Sequence, residues 1–559
     1  MTSTAGMKLG AAALLVVLAS TASPLVSAPP AAYADTTQDA TWESVCSPAT
    51  PDSGECQLLV RTDLSATPAS AVTAGTVPAG YGRADLASAY GLPTGSQGSG
   101  MTVAVVDSYD QPSAESDLAV YRSHYGLSPC TTANGCFRKV DQNGETVSFP
   151  ATNQRWGMES DLDIEMVSAV CPNCNILLVE AFSTDPVDQG MAANTAVSLG
   201  AMAVSNSYSN TAPSGARTLY SMFYDHPGVA ITASTGDHGS STAYPASFPS
   251  VIAVGGTRLE RDASARGWSE TAWSRTGGGC TATEPKPGWQ HDTGCATRTE
   301  ADVSAVADTA TGVAMYDGGA GGWNVVGGTS VSAPIVASIY ALAGRPAAGT
   351  NPASYLYANP AGLNDVTTGS NGSCGTYLCN AGPGFDGPTG LGTPRGLASF
   401  KAPTTVPPTP RRPHPVEDFT GDGNADVVSV STAGNLYLYP HKPSGFGASS
   451  IIGNGWNGMT AIIAGDFNGD GNADVVSRSS AGNLYLYPHT PSGFGTSSII
   501  GNGWNGMTAI IAGDFNGDGN DDIVSRDTAG DLWLYPHTPS GFGAQTKIGN
   551  GWNGMTYIL

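Results

Sequence analysis

The order of patterns along the chain predicts an α/β fold, a mainly parallel sheet flanked by helices, followed by a proline-rich linker and an all-β, propeller-like repeat domain. Three observations carry this reading. Short apolar runs at 102–106, 176–180 and 203–207 alternate with helix-length stretches, as strands joined by crossover helices do. Residues 401–415 are too rich in proline to build a core and read as a stiff, extended linker. Beyond them, a motif beginning at Asp418 returns at Asp466 and Asp514, a 48-residue period with several short strands per copy.

In chain order, Lys8 precedes an apolar run at 9–18 that is too short to span a bilayer. Ala32-Tyr33-Ala34 before Asp35 has the small-x-small form of a cleavage site. Residues 1–34 therefore read as a signal peptide, and the protein is expected to be secreted, extracellular and without a membrane span. Residues 35–79 are rich in Thr, Ala and Ser and form a short N-terminal arm or propeptide. Gly80-Tyr81-Gly82-Arg83 opens the main domain, expected at 80–400.

The β-branched run 102–106 reads as a buried strand ending at Asp107-Ser108-Tyr109, with Asp107 as a strand-end turn residue. An amphipathic stretch follows at 114–125. Next, Met158, Leu162, Ile164, Met166 and Val167, with no Gly or Pro after Gly157, suit a helix. Glu159 and Asp163, four residues apart, lie on one face of it. Two such carboxylates repel, which splits their titrations and lets one accept a proton in acid while the other orients it; a solvated acidic face is the alternative. After the strand 176–180 come a small-residue helix at 190–199 and the strand 203–207. Another apolar run, Ile231-Thr232-Ala233-Ser234, enters a glycine-flanked loop that places Asp237 at a strand end, as a site residue or as a turn residue.

Gly327-Gly328-Thr329-Ser330 and the apolar run 335–342 describe a tight turn presenting a hydroxyl at the start of a buried helix. Ser330 is the candidate nucleophile, with helix capping as the bland alternative. None of the eight histidines lies in a His-Gly-Thr setting that would supply the usual base.

Taken together, the segments around Glu159, Asp237 and Ser330 resemble the sedolisins, serine-carboxyl peptidases of subtilisin-like fold, over about residues 80–400. The resemblance implies Ser330 as nucleophile, Glu159 as general base, Asp163 as the acid that holds the glutamate and Asp237 as the oxyanion-hole acid. It further implies an endopeptidase acting on protein or peptide substrates at low pH, where Asp237 stays protonated and can donate. Sedolisins carry a long prosegment; this chain has room only for the short arm. The resemblance also implies a Ca2+ site, with carboxylates from Asp365 and Asp386 and carbonyls from Val366, Gly382 and Gly384.

The Asp-x-Asn-x-Asp-Gly spacing of the repeats (416–559) aims alternate oxygens at one point, a second calcium signal. It nominates Asp466, Asn468, Asp470 and Asp474 in one copy and Asp514, Asn516, Asp518 and Asp522 in the next. The copies resemble FG-GAP or VCBS repeats, and a surface or glycan ligand is the expected partner. Their aromatic residues read as sheet packing.

The ten cysteines fall into neighbours, Cys46 with Cys56, Cys130 with Cys136, Cys171 with Cys174, Cys280 with Cys295 and Cys374 with Cys379, and read as local disulfides. A net charge of -23 argues against nucleic acid as a partner. Two other readings stay open: a histidine-dependent subtilisin-like protease, and a secreted binding protein with an inert peptidase domain.

Overall fold

The computed structural model describes residues 1–2, 40–50, 53–71, 78–93, 95–210, 220–403, 418–420, 425–442, 445–468, 472–490, 493–515, 521–538 and 541–552. The chain divides into Met1–Asp39 and Ala40–Leu559. Most of the expected signal peptide and most of the linker lie outside the described residues.

The centre is an eight-stranded sheet. Phe137–Asp141, Asn175–Ala181, Thr102–Ser108, Ala203–Asn206, Ala230–Ser234 and Ile252–Arg261 follow one another in parallel. Val303–Val306 joins Ile252–Arg261 in parallel, and Trp268–Ala272 joins it antiparallel. Thr102–Ser108 is buried on both faces from Val103 onward, which is why its sequence runs apolar instead of alternating. Crossover helices Ala114–His124, Gln154–Val170 and Pro186–Ser198 cover the sheet. Asn153 caps the second of these, accepting from the Arg155 and Trp156 N–H groups, and Asp185 caps the third ahead of a proline at its first position.

The helix Gln154–Val170 is buried along nearly its whole length, with Leu162, Ile164, Met166 and Val167 fully enclosed. Each such side chain contributes roughly 1.5–3 kcal/mol. The carboxylates it carries are buried with them, so the alternative of a solvated acidic face is wrong. Tertiary packing on both sides of the helix is the reason.

The N-terminal arm is not a loose appendage. Its strand Leu59–Arg61 pairs with Trp42–Ser44 and with Gly322–Gly327, the strand that leads to Ser330. Glu55–Cys56 pairs with Tyr208–Ser209. Val45, Cys56 and Leu58 join the main core. All five expected disulfides form.

The repeats build separate antiparallel sheets: Val427–Val430 with Leu436–Tyr439 and Ser450–Gly453, then two four-stranded sheets spanning Met459–Gly501 and Met507–Gly549. Phe419, Leu436 and Trp456 of one copy share a core with Ala473 and Val475 of the next, so consecutive copies pack like blades. The described strands form no closed barrel. Trp456 and Trp504 are buried in these cores, in the packing role expected of them.

Candidate active site

Ser330 stands in the first turn of the helix Thr329–Ala343 and is fully buried. Gly328 before it has φ +103, a conformation that only glycine adopts readily. Pro334, inside the helix, has no N–H to give the carbonyl four residues back, which is that of Ser330. The Ser207 hydroxyl approaches that carbonyl instead, at 3.4 Å.

Glu159 and Asp163 point to the same side of their helix as Ser330 and are fully buried. Burial raises Glu159 well above the usual carboxylate range, Asp107 and Asp237 add repulsion, and the nearby Ser330 hydroxyl opposes the shift. That hydroxyl donates to the Ser207 carbonyl at 3.2 Å, and neither Glu159 oxygen has a well-formed hydrogen bond. Ser330 is therefore within electrostatic reach of Glu159 without being bonded to it, a geometry that does not rule out proton transfer between the two. Asp163 does not bond Glu159 directly. Both its oxygens accept from the Ser207 hydroxyl at 2.8 Å, and burial, Asp107 and Glu159 push its pKa up.

Asp237 follows the strand Ala230–Ser234 in a loop turned by Gly236, φ +100. Its Oδ1 accepts from the Thr329 N–H and hydroxyl, both at 2.9 Å, which fixes the carboxyl against the serine helix. Its Oδ2 is buried without a partner. Burial lifts the group to about 7, with the Thr329 bonds working in the other direction. It is thus a neutral acid below that pH, with one oxygen free to carry a proton toward the site.

Three participants were not legible as such in the sequence. Asp107, expected to be a turn residue, is fully buried, with both oxygens lacking well-formed hydrogen bonds. Burial lifts it to about 7, and its charge bears on Glu159 and Asp163. Ser207 is the hub that touches both Asp163 and Ser330. Their signal is position: both stand at the carboxyl ends of parallel strands, where α/β sheets gather site residues. The third is Gln57 of the arm, whose carbonyl accepts from the Ser330 N–H at 3.2 Å. Among the described residues, no histidine bonds Ser330, Glu159 or Asp163. His238 pairs with Glu55 at 3.0 Å instead.

On the opposite face of the acidic helix, Asp161 meets Asp117 and Asp317, with oxygens within 4.8 Å of one another and all three residues buried. Glu165, one turn on, accepts from the Tyr316 N–H at 2.9 Å. Burial and mutual repulsion push Asp161 and Glu165 well up.

In the expected calcium loop, Asp386 accepts from Gly382 N–H and from the N–H and hydroxyl of Thr389, and Asp365 from Gly384 N–H. Burial lifts Asp386 to about 7, and Asp365 adds repulsion. Among the described residues the carbonyls of Val366, Gly382 and Gly384 accept no hydrogen bond. Two carboxylates in repulsion beside three free carbonyls are a donor set of hard oxygens that fits Ca2+.

In the repeats, Asp470, Asn516 and Asp518 lie outside the described residues. Asp474 and Asp522 each use Oδ1 to hold a backbone N–H fifteen residues on, that of His489 and His537, a structural role not foreseen. Asn468 donates to Asp474 at 3.2 Å. Asp466 bonds through its backbone to the next copy's Asp521.

Residues 146–355, which contain Glu159, Asp163, Asp237 and Ser330, match the subtilase family, and residues 418–477 and 466–525 match the FG-GAP-like repeat. Kumamolisin of Bacillus sp. (strain MN-32) is 32% identical over 372 residues, 58% of this chain and 64% of the relative. The chain is a homologue of the sedolisins. Tripeptidyl-peptidase 1 of Homo sapiens is 30% identical over 213 residues, 31% of this chain and 35% of the relative. A solved Pseudomonas sedolisin, a serine-carboxyl proteinase complexed with two molecules of pseudo-iodotyrostatin, aligns at TM-score 0.48 and 25% identity, over 58% of this chain and 97% of that one. This sedolisin homologue thus spans less than two thirds of the length of either curated relative.

Proposed function

We propose that the protein is a secreted serine-carboxyl endopeptidase that hydrolyses peptide bonds in acid. The observation that carries this is the convergence on one buried serine of a carboxylate base, Glu159, and a neutral acid, Asp237, with an unpartnered oxygen. In molecules where the negative charge shared by the carboxylate cluster resides on Glu159, the Ser330 hydroxyl gives it its proton as the serine oxygen attacks the substrate carbonyl. The developing oxyanion takes hydrogen bonds from the Ser330 N–H and from protonated Asp237. Glu159 then passes the proton to the leaving amine. Asp163, steadied by Ser207, and Asp107 confine the negative charge so that the cluster holds few ionised members at once.

Endopeptidase rather than exopeptidase action is supported by the arm, which runs continuously through the site. Residues before Gln57 pair with Tyr208–Ser209 and residues after it pair with Val326 and Gly327. Chain can therefore extend in both directions from Ser330.

Asp365 and Asp386, with the carbonyls of Val366, Gly382 and Gly384, would hold Ca2+. A bound cation supplies the counter-charge that the pair lacks and ties the loop to the domain. The repeats are assigned to calcium binding and to a surface or glycan ligand. Disulfides at all ten cysteines suit an oxidising compartment, and no helix among the described residues is long and apolar enough to cross a membrane.

The test is the pH profile of casein cleavage by wild type, Ser330→Ala and Glu159→Gln. Acid activity abolished by both changes is expected. A neutral or alkaline optimum that survives Glu159→Gln would favour a histidine-dependent enzyme, and absence of any Ser330-dependent cleavage would favour a binding protein.

A further inference from the structure

The face of the helix Gln154–Val170 turned away from Glu159 and Asp163 carries a second set of carboxylates. Asp161 there meets Asp117 of the helix Ala114–His124 and Asp317 at the end of the strand Val313–Asp317, with one oxygen from each within 4.8 Å of the others. Asp161 is fully buried, and Asp117 and Asp317 are at most 5% exposed. Each is oriented by a donor on one oxygen. The Gln111 amide donates to Asp161 Oδ2 at 2.5 Å, the Ser113 hydroxyl to Asp117 Oδ2 at 2.7 Å, and the Ala320 N–H to Asp317 Oδ1 at 3.0 Å. The other Asp161 oxygen, Oδ1, is buried and accepts nothing.

Glu165 adds an independent observation. It is fully buried, four residues on from Asp161 and so on the same helix face. Its Oε2 accepts from the Tyr316 N–H, while Oε1 is buried without a partner. Asp161, Asp117 and Asp317 all repel it, which places its carboxylate beside theirs. Among the described residues no Lys or Arg forms an ion pair with any of the four. A buried carboxylate oxygen with neither donor nor counter-charge is costly, and two of them converge here.

We propose that Asp117, Asp161, Glu165 and Asp317 form a Ca2+ site, separate from the catalytic carboxylates and from the loop at Asp365 and Asp386. Hard anionic oxygens with no nitrogen or sulfur among them select an alkaline-earth ion. Spacings of up to 4.8 Å are the span of oxygens about 2.4 Å from one centre, the calcium distance rather than the shorter magnesium one. The donors on the outer oxygens hold the carboxylates in place for the ion, as outer hydrogen bonds do in metal sites. The exposed turn at Gly318 and Gly319 is the way in. A Cβ on Gly318 would lie 3.1 Å from Asp117 Oδ1 and one on Gly319 3.0 Å from Asp317 Oδ1, so small residues there keep the carboxylates uncrowded. The strand Val313–Asp317 pairs with Gly322–Gly327, which leads to Ser330. The ion therefore fastens the helix that carries Glu159 to the hairpin that precedes Ser330.

The test counts Ca2+ bound per full-length chain by equilibrium dialysis at pH 8, where the carboxylates can give up their protons to a cation. Asp161→Asn should remove one Ca2+ per chain, and should do so equally in an Asp386→Asn background. Melting supplies a second readout. In chelator Asp161→Asn relieves repulsion and should melt above wild type; in saturating Ca2+ the order should reverse, because only wild type gains from binding. Asp117→Asn, on a different helix, should behave in the same way. Equal ion counts in wild type and Asp161→Asn overturn the proposal, as does a loss that disappears in the Asp386→Asn background. Variants that melt below wild type in both media indicate a purely structural hydrogen-bonding role and overturn it too. Displacement of the ion by an equal concentration of Mg2+ overturns the assignment to calcium.

Discussion

Asp237→Asn isolates the part of the proposed mechanism that depends on pH. The Asp237 carboxyl can donate to the oxyanion only while protonated, and burial lifts it to about 7. Above that pH, kcat/KM should fall about tenfold per unit. An asparagine keeps an Oδ1 to accept from Thr329 and presents an N–H where the free Oδ2 now stands. It donates at every pH, so the alkaline limb should disappear or move upward, and the ratio of variant to wild-type activity should rise about fivefold between pH 7 and pH 8. Asp237→Ala, which leaves no donor, should lose about 100- to 1,000-fold at the optimum. Because Asp237 is already uncharged in acid, the acid limb should stay in place in both variants. The assay is hydrolysis of a chromogenic peptide from strong acid to mild alkali, with single-turnover controls. An unchanged alkaline limb in Asp237→Asn would refute the assignment of that limb to Asp237 and the oxyanion role with it.

Other outcomes follow from the same geometry. Ser207→Ala removes the hydroxyl 2.8 Å from both Asp163 oxygens; since hydrogen bonds to charged groups contribute about 1.5–3 kcal/mol, kcat should fall about 10- to 100-fold with KM little changed. An effect on KM alone would argue for a purely structural serine. Chelator should lower the melting temperature of wild type and change that of Asp386→Asn less, read by calorimetry at fixed pH. Stability should also be greatest in acid. Asp107 and Asp237, lifted to about 7, and Glu300, lifted to about 8, all have folded-state values above their unfolded ones. Their contribution is complete below about pH 4, the unfolded range, and is lost as pH rises through 7 to 8. A melting temperature that climbs from pH 4 to pH 8 would contradict this. Leu162→Ala, in the fully buried helix core, should cost about 2–5 kcal/mol by denaturant titration, with the pH profile unchanged.

The sequence by itself determined the α/β class and the strand and helix order around the site, pointed to local disulfides between neighbouring cysteines, and nominated Ser330, Glu159 and Asp237 as candidates. Each of these is local: a period of apolar residues, a glycine turn before a hydroxyl, or cysteines a few residues apart. Only the tertiary structure decided that Asp107 joins the carboxylates, that Ser207 bridges Asp163 to Ser330, and that the arm carries Gln57 onto the Ser330 N–H. Those three come from strands and an arm distant in sequence that converge at one end of the sheet. Whether a carboxyl there is a turn residue or part of a proton-sharing cluster depends on burial and on which charges face it, and neither is written in the local pattern.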